Sequence, residues 1–181
     1  MWEKIYGALR RANQIIARIL GLGLVLSALF IIVDVVLRKS SFGSLGGSDE
    51  ISGYVMATLA SWGLAFALVE RAHVRIDFMR QKLASNQRML IDLFAMIATN
   101  AVVVLIMVKC WPVLEKTLAR GSTANTVLET PMWIPQGIWF TGWLWFAFST
   151  TVLSLVGIAY LSRGLSREFD AALGMGSEID G

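Results

Sequence analysis

The sequence predicts an all-α integral membrane protein of four transmembrane helices. Three observations predict it. Of 181 residues, 56% are hydrophobic, and the mean hydropathy is +0.63. A water-soluble domain of this length has no use for that much apolar surface. The apolar residues are gathered into four long stretches separated by charged or Gly/Ser-rich segments. Finally, Lys and Arg are unevenly shared between alternate connecting segments.

The four stretches are unequal. Ile19–Val33 contains 15 uncharged residues and runs on past Asp34 to Leu37. Ile51–Val69 contains 19 uncharged residues, and Met89–Val108 contains 20 residues with Asp92 as its one charge. Thr130–Ser162 holds 33 residues without a charge. About 20 apolar residues in a helix cross the roughly 30 Å hydrocarbon core. Each stretch is apolar nearly all round, which lipid tolerates and water does not. The spans are placed at about 15–37, 51–70, 89–110 and 135–161, within one domain covering 1–165. Residues 166–181 form a short cytoplasmic tail. The upstream region is long and charged, and no small-residue cleavage site follows the first stretch cleanly. That stretch is therefore read as an uncleaved anchor.

Eleven Lys and Arg fall in residues 1–18, in the 70–88 segment and in the tail. Five fall on the other side: Arg38, Lys39, Lys109, Lys116 and Arg120. The positive-inside rule then puts the N- and C-termini in the cytoplasm. The net charge of +3 is a topology signal rather than a nucleic-acid footprint, because the cations are spread over membrane-flanking segments.

Trp2, Ile5, Tyr6, Leu9 and Ile16 recur at helical spacing among Lys4, Arg10 and Arg11. That pattern predicts an N-terminal interfacial amphipathic helix; a simple extension of the first span is the other reading. In the second span Gly53, Ala57, Ser61 and Ala65 fall every fourth residue. Small residues let helices approach closely where lipid offers no hydrophobic drive, so this face is the candidate for tight packing. Gly23 and Ser27 form a lesser pair. Between the third and fourth spans, 111–133 is read as an outer loop in which Leu114 and Leu118 could lie on a short interfacial helix. Pro135 suits a helix's first turn. Trp111 and Trp133 fit an interfacial belt, and Trp139, Trp143 and Trp145 go deeper.

Charge inside a membrane is costly and points to function. Asp34 precedes Arg38 by four residues, and Arg88 precedes Asp92 by four. Each couple can be an ion pair on one helical face, or its acid can be a proton carrier. Asn100 lies near the middle of the third span, where a hydrogen bond to a neighbouring helix is the simpler role. His73 is the single histidine and Cys110 the single cysteine, so a disulfide, a bis-histidine haem and a zinc site all lack ligands within this chain. No phosphate loop or nucleophile elbow is present. The chain is expected to be no enzyme and to hold no cofactor.

Four features carry a family resemblance. Arg38 follows the first span. The acidic pair Asp49-Glu50 opens the second. Glu70-Arg71-Ala72-His73-Val74-Arg75-Ile76-Asp77 closes it, with a His, an aliphatic, any residue, an aliphatic and an Asp in succession. Thr130-Pro131-Met132-Trp133-Ile134-Pro135 leads into a last span containing Gly142. Over about residues 10–162 the chain resembles the DctQ-type small membrane subunit of tripartite ATP-independent periplasmic (TRAP) transporters. It departs from that pattern before the acidic pair, where Leu45-Gly46-Gly47-Ser48 stands in place of a frequent tryptophan.

The resemblance implies a non-catalytic subunit in the bacterial inner membrane. It implies a large multi-span membrane partner that carries the substrate and sodium sites, and a periplasmic binding protein that delivers a small organic acid such as a C4-dicarboxylate or sialic acid. It makes Arg38, Asp49, Glu50, Glu70, His73, Arg75, Asp77, Pro131 and Trp133 candidates for scaffolding or partner contact. The cations Arg38, Lys39, Lys116 and Arg120 become candidates for docking the binding protein. The alternative is an independent proton-coupled transporter using Asp34 or Asp92. A redox-enzyme anchor and an assembly factor are further readings.

Overall fold

The computed structural model describes residues 2–40, 43–72 and 85–173. Among them lie five helices: α1 Trp2–Lys39, α2 Ser48–Val69, α3 Ser85–Arg120, α4 Trp133–Ser162 and α5 Ser166–Ala172. The first four are long and apolar enough to cross a membrane. The chain is a multi-pass membrane protein. Arg10, Glu70, Arg88 and Arg163 mark one end of the bundle, called the basic end below. Arg38, Asp49, Arg120 and Trp133 mark the far end.

The spanning helices stand in the order α1, α2, α4, α3. The α4 helix is central and the most buried of the four. Among its buried positions Gly142, Phe146, Ser149, Leu153, Val156 and Tyr160 repeat at alternating steps of four and three, which is one stripe of an α-helix, and Ala147, Thr150, Ser154 and Gly157 widen it. The outer helices α1 and α3 turn most of their large aliphatic side chains outward, among them Leu22, Val25 and Leu29 on α1 and Leu90, Phe94 and Leu105 on α3. In lipid this exposure carries no hydrophobic penalty, and close packing has to hold the helices instead.

Close packing is visible at two glycines of α4. A Cβ on Gly142 would lie 2.7 Å from both Ser61 Cβ and Trp62 Cδ1 of α2, and nearer still to Ser61 Oγ. A Cβ on Gly157 would lie 2.5 Å from Leu173 and 3.0 Å from Leu93 of α3. At the basic end α5 folds back onto α4 and α3, and Phe169 is fully buried there beside Leu173.

Two sequence expectations change, and a third gains detail. The N-terminal interfacial helix is no separate element: Trp2–Lys39 is one helix, and Leu9 and Asn13 of its first turns are buried against the bundle. No Pro interrupts residues 2–39, and straight-chain and alanine residues around Arg10–Arg18 favour an unbroken helix. The helix of the third span does not stop near 110. The α3 helix continues through Pro112 to Arg120, because the Cys110–Leu114 face packs on Phe140 of α4 and carries the helix onward. Leu114 and Leu118 thus belong to α3 and not to a separate loop helix. The short tail expected from residue 166 begins with the packed helix α5.

Candidate functional site

Three carboxylates tie distant parts of the chain together. The first is Asp34 near the end of α1. It is 1% exposed and lies 2.5 Å from the Arg38 guanidinium, one turn away. It also accepts hydrogen bonds from Ser48 Oγ at 2.7 Å, Leu45 N at 2.8 Å and Ser44 Oγ at 2.9 Å. Arg38 donates in turn to Ser44 Oγ at 3.1 Å and Ser48 Oγ at 3.3 Å. The short connection between α1 and α2 is therefore wrapped around one carboxylate. Gly46 and Gly47 make the wrap possible with φ of 71° and 72°, a left-handed backbone open to glycine at little cost. A side chain at Gly47 would also strike Leu128, with Leu128 Cγ 2.6 Å from its Cβ.

The second is Glu50 in the first turn of α2. It accepts from Tyr54 Oη at 2.5 Å and from Thr126 Oγ1. Thr126 belongs to the connection between α3 and α4, which folds on itself through Ala124 N to Thr130 O at 2.9 Å and a bridge between Thr123 and Pro131. Glu50 thus fastens the far end of α2 to that loop.

The third is Glu70, immediately past the end of α2. Arg10 of α1 grips it with two bonds, Nε to Oε1 at 2.9 Å and Nη2 to Oε2 at 2.8 Å, and Gln14 Nε2 adds a bond at 2.9 Å. This fork-on-fork pairing is the strong form of an ion pair. Arg10 holds the Glu70 carboxyl below the usual carboxylate range, against the opposing effect of partial burial. The acidic groups at the two ends of α2 therefore fasten it to two different neighbours, the α3–α4 loop and α1.

Two neutral clusters join further helix pairs. Asn100 Oδ1 on α3 accepts from Thr150 Oγ1 at 2.8 Å and Thr151 Oγ1 at 3.0 Å on α4. Asn13 on α1, fully buried, accepts from Trp145 Nε1 at 3.1 Å and donates to Leu9 O at 2.9 Å. Trp62 of α2 donates to Ile138 O of α4 at 2.9 Å and stacks on Trp145 with ring centres 6.4 Å apart.

The remaining sequence candidates are placed as follows. Asp49 is exposed, and its backbone oxygen accepts from Ser52 Oγ. Pro131 and Trp133 are exposed at the entry to α4. In the small-residue series of α2, Ser61 and Ala65 are buried, Ala57 is half-buried, and Gly53 is exposed with open space beside it. The close contact therefore occupies only the half of α2 nearer the basic end. Arg88 and Asp92 are half-buried one turn apart on α3, and Asp92 lines a cleft between α2 and α3 with Leu64, Met96 and Trp143. Lys39, Lys116 and Arg120 are exposed. His73, Arg75 and Asp77 lie outside the described residues.

Sequence reasoning missed Arg10, Gln14, Asn13 and Thr126. Arg10 and Gln14 do share a helix face, but nothing local names a carboxylate 60 residues away as their partner.

No curated protein and no solved structure matches the chain. A family model described as tripartite ATP-independent periplasmic transporters, DctQ component, matches residues 27–159. That stretch takes in the Asp34 and Glu50 fasteners, the Glu70 end of α2, and the Pro131–Trp133 entry to α4. The chain belongs to the DctQ family, the small membrane subunits of TRAP transporters.

Proposed function

We propose that this TRAP small permease subunit is a static scaffold in a sodium-driven, binding-protein-dependent uptake system for small organic acids, in a bacterial inner membrane with both termini cytoplasmic. It braces the large membrane subunit, which carries the sodium and substrate sites, and offers part of the surface on which the binding protein docks. The observation that carries this reading is the use made of its acids. Asp34, Glu50 and Glu70 each accept several hydrogen bonds from other parts of the same chain. A proton carrier needs a carboxylate that can exchange its proton and its partners; these are committed to holding helix ends in register. The wide apolar face of α3 supplies area for a membrane partner. The exposed cations Lys39, Lys116 and Arg120 suit an acidic face on a binding protein, an attraction that weakens with salt.

The test is reconstitution. The chain tagged in its native membranes should bring down a many-span membrane protein in stoichiometric amount. Vesicles holding both subunits should take up an organic acid only with sodium and the binding protein, whereas vesicles holding this chain alone should take up none. Proton-coupled transport by the chain alone, abolished by Asp34→Asn or Asp92→Asn, would establish the alternative and overturn the scaffold.

A further inference from the structure

At the basic end, on the side of the α1–α2 pair, lies a groove of about 650 Å³ lined by Gln14, Ala17, Arg18, Phe66, Glu70 and Ala72. Its floor is the apolar Ala17 and Phe66. Arg18 stands at its edge, exposed, and makes no hydrogen bond or ion pair with any described residue. Arg11, seven residues earlier and so on nearly the same side of α1, is also exposed and unpaired among the described residues. Among the described residues that line the groove the one acid is Glu70, and it is neutralised by the two-bond grip of Arg10. The groove therefore presents a net positive edge over an apolar floor.

Its depth fits a lipid headgroup. Arg18 and Arg38 stand 20 positions apart on α1, which at 1.5 Å per residue is about 30 Å, the thickness of the hydrocarbon core. Arg18 thus sits at the membrane surface. From it an exposed stripe runs toward the far end at steps of four, three and four: Leu22, Val25 and Leu29, each more than half exposed. A phosphate at Arg18 and an acyl chain along this stripe lie on one continuous face.

We infer that the α1–α2 groove is a binding site for an anionic phospholipid, its phosphate on Arg18 with Arg11 adding to the field, and its acyl chain on Leu22, Val25 and Leu29. Arginine suits the role because its planar fork pairs with two phosphate oxygens at once. Gln14 is spent on Glu70 and serves as the wall that holds the acid away from the phosphate. A zwitterionic lipid would gain less, since the acid that could receive its ammonium is already paired.

The experiment uses the full chain with any subunit that copurifies, in nanodiscs of equal parts phosphatidylglycerol and phosphatidylethanolamine. After transfer to mild detergent, retained lipid is weighed by native mass spectrometry. Phosphatidylglycerol should be retained about fivefold over phosphatidylethanolamine, the factor that one arginine is worth at an anionic surface. Arg18→Gln should abolish the preference. Ala17→Trp, which keeps every charge but fills the groove, should do the same and serves if the first variant inserts poorly. Lys116→Gln, at the other end of the molecule, should leave it intact. Equal retention by the unaltered chain, or a preference that survives both groove variants, overturns the site.

Discussion

At the scale of a residue, Asp34 shows how a charge is made affordable in a membrane. The carboxylate is buried, yet one arginine, two hydroxyls and a backbone N–H surround it. Sequence spacing exposes the Arg38 half of this, because four residues on a helix is one turn. It cannot expose Ser44, Leu45 and Ser48, whose positions depend on the left-handed turn at Gly46 and Gly47. The role predicts an order of damage. Asp34→Asn keeps an oxygen at the Oδ1 position to accept from Ser44 and Leu45 but loses the acceptor that Ser48 and Arg38 share at Oδ2. Asp34→Ala removes the acceptor of all four donors, of which Ser48 is buried, and a buried donor without a partner is the costlier defect. Thermal unfolding of the complex should rank wild type above Asn and Asn above Ala, with transport following stability. A proton carrier would behave otherwise, since both variants would lose transport alike while Asp34→Asn kept its stability.

At the scale of an element, the sequence shows the four apolar stretches well and their ends poorly. Lipid demands about 20 apolar residues, and this demand is written in composition. Nothing similar limits a helix that continues into water, so α1 extends back to Trp2 and α3 onward to Arg120 wherever a packing face persists. The small-residue series on α2 is a related case. Spacing alone gives Gly53, Ala57, Ser61 and Ala65 equal weight, but only the half facing Gly142 meets another backbone. The pairing of Ser61 with Gly142 has a measurable consequence. Gly142→Leu should destabilise the chain by about 1–3 kcal/mol through overpacking. Gly142→Ala should cost less, and combination with Ser61→Gly should restore part of that loss by vacating the Ser61 side of the new methyl, while Trp62 Cδ1 still stands 2.7 Å from it. Chemical or thermal denaturation in detergent measures all three. If the double variant shows only the sum of the two single losses, Ser61 and Gly142 are not in contact.

At the scale of the whole molecule, the order α1, α2, α4, α3 is invisible in the sequence, because apolar helices in lipid carry no label for their neighbours. What sets it is a small number of polar ties across long sequence separations. Of these, the Arg10–Glu70 pair joins the first turns of the chain to the end of α2. Its effect on stability has a sign that follows from Glu70. The carboxyl is held below its ordinary value of 4.5, so the folded state favours the charged form. The pair's contribution is therefore complete at neutral pH, above that ordinary value, and is lost as the pH falls through the lower folded value. Arg10 is 51% exposed, which limits the size to that of a surface pair, about 0.5–1 kcal/mol. Other carboxylates titrate over the same acid range, so the quantity to follow is the difference between wild type and Glu70→Gln. At neutral pH wild type should be the more stable by roughly that amount, and the difference should close as the medium is acidified. Arg10→Gln should remove the same difference at neutral pH, and the two substitutions together should cost little more than either alone. A difference that persists in acid would mean that Glu70 stabilises the basic end by its shape and its bond from Gln14 rather than by its charge.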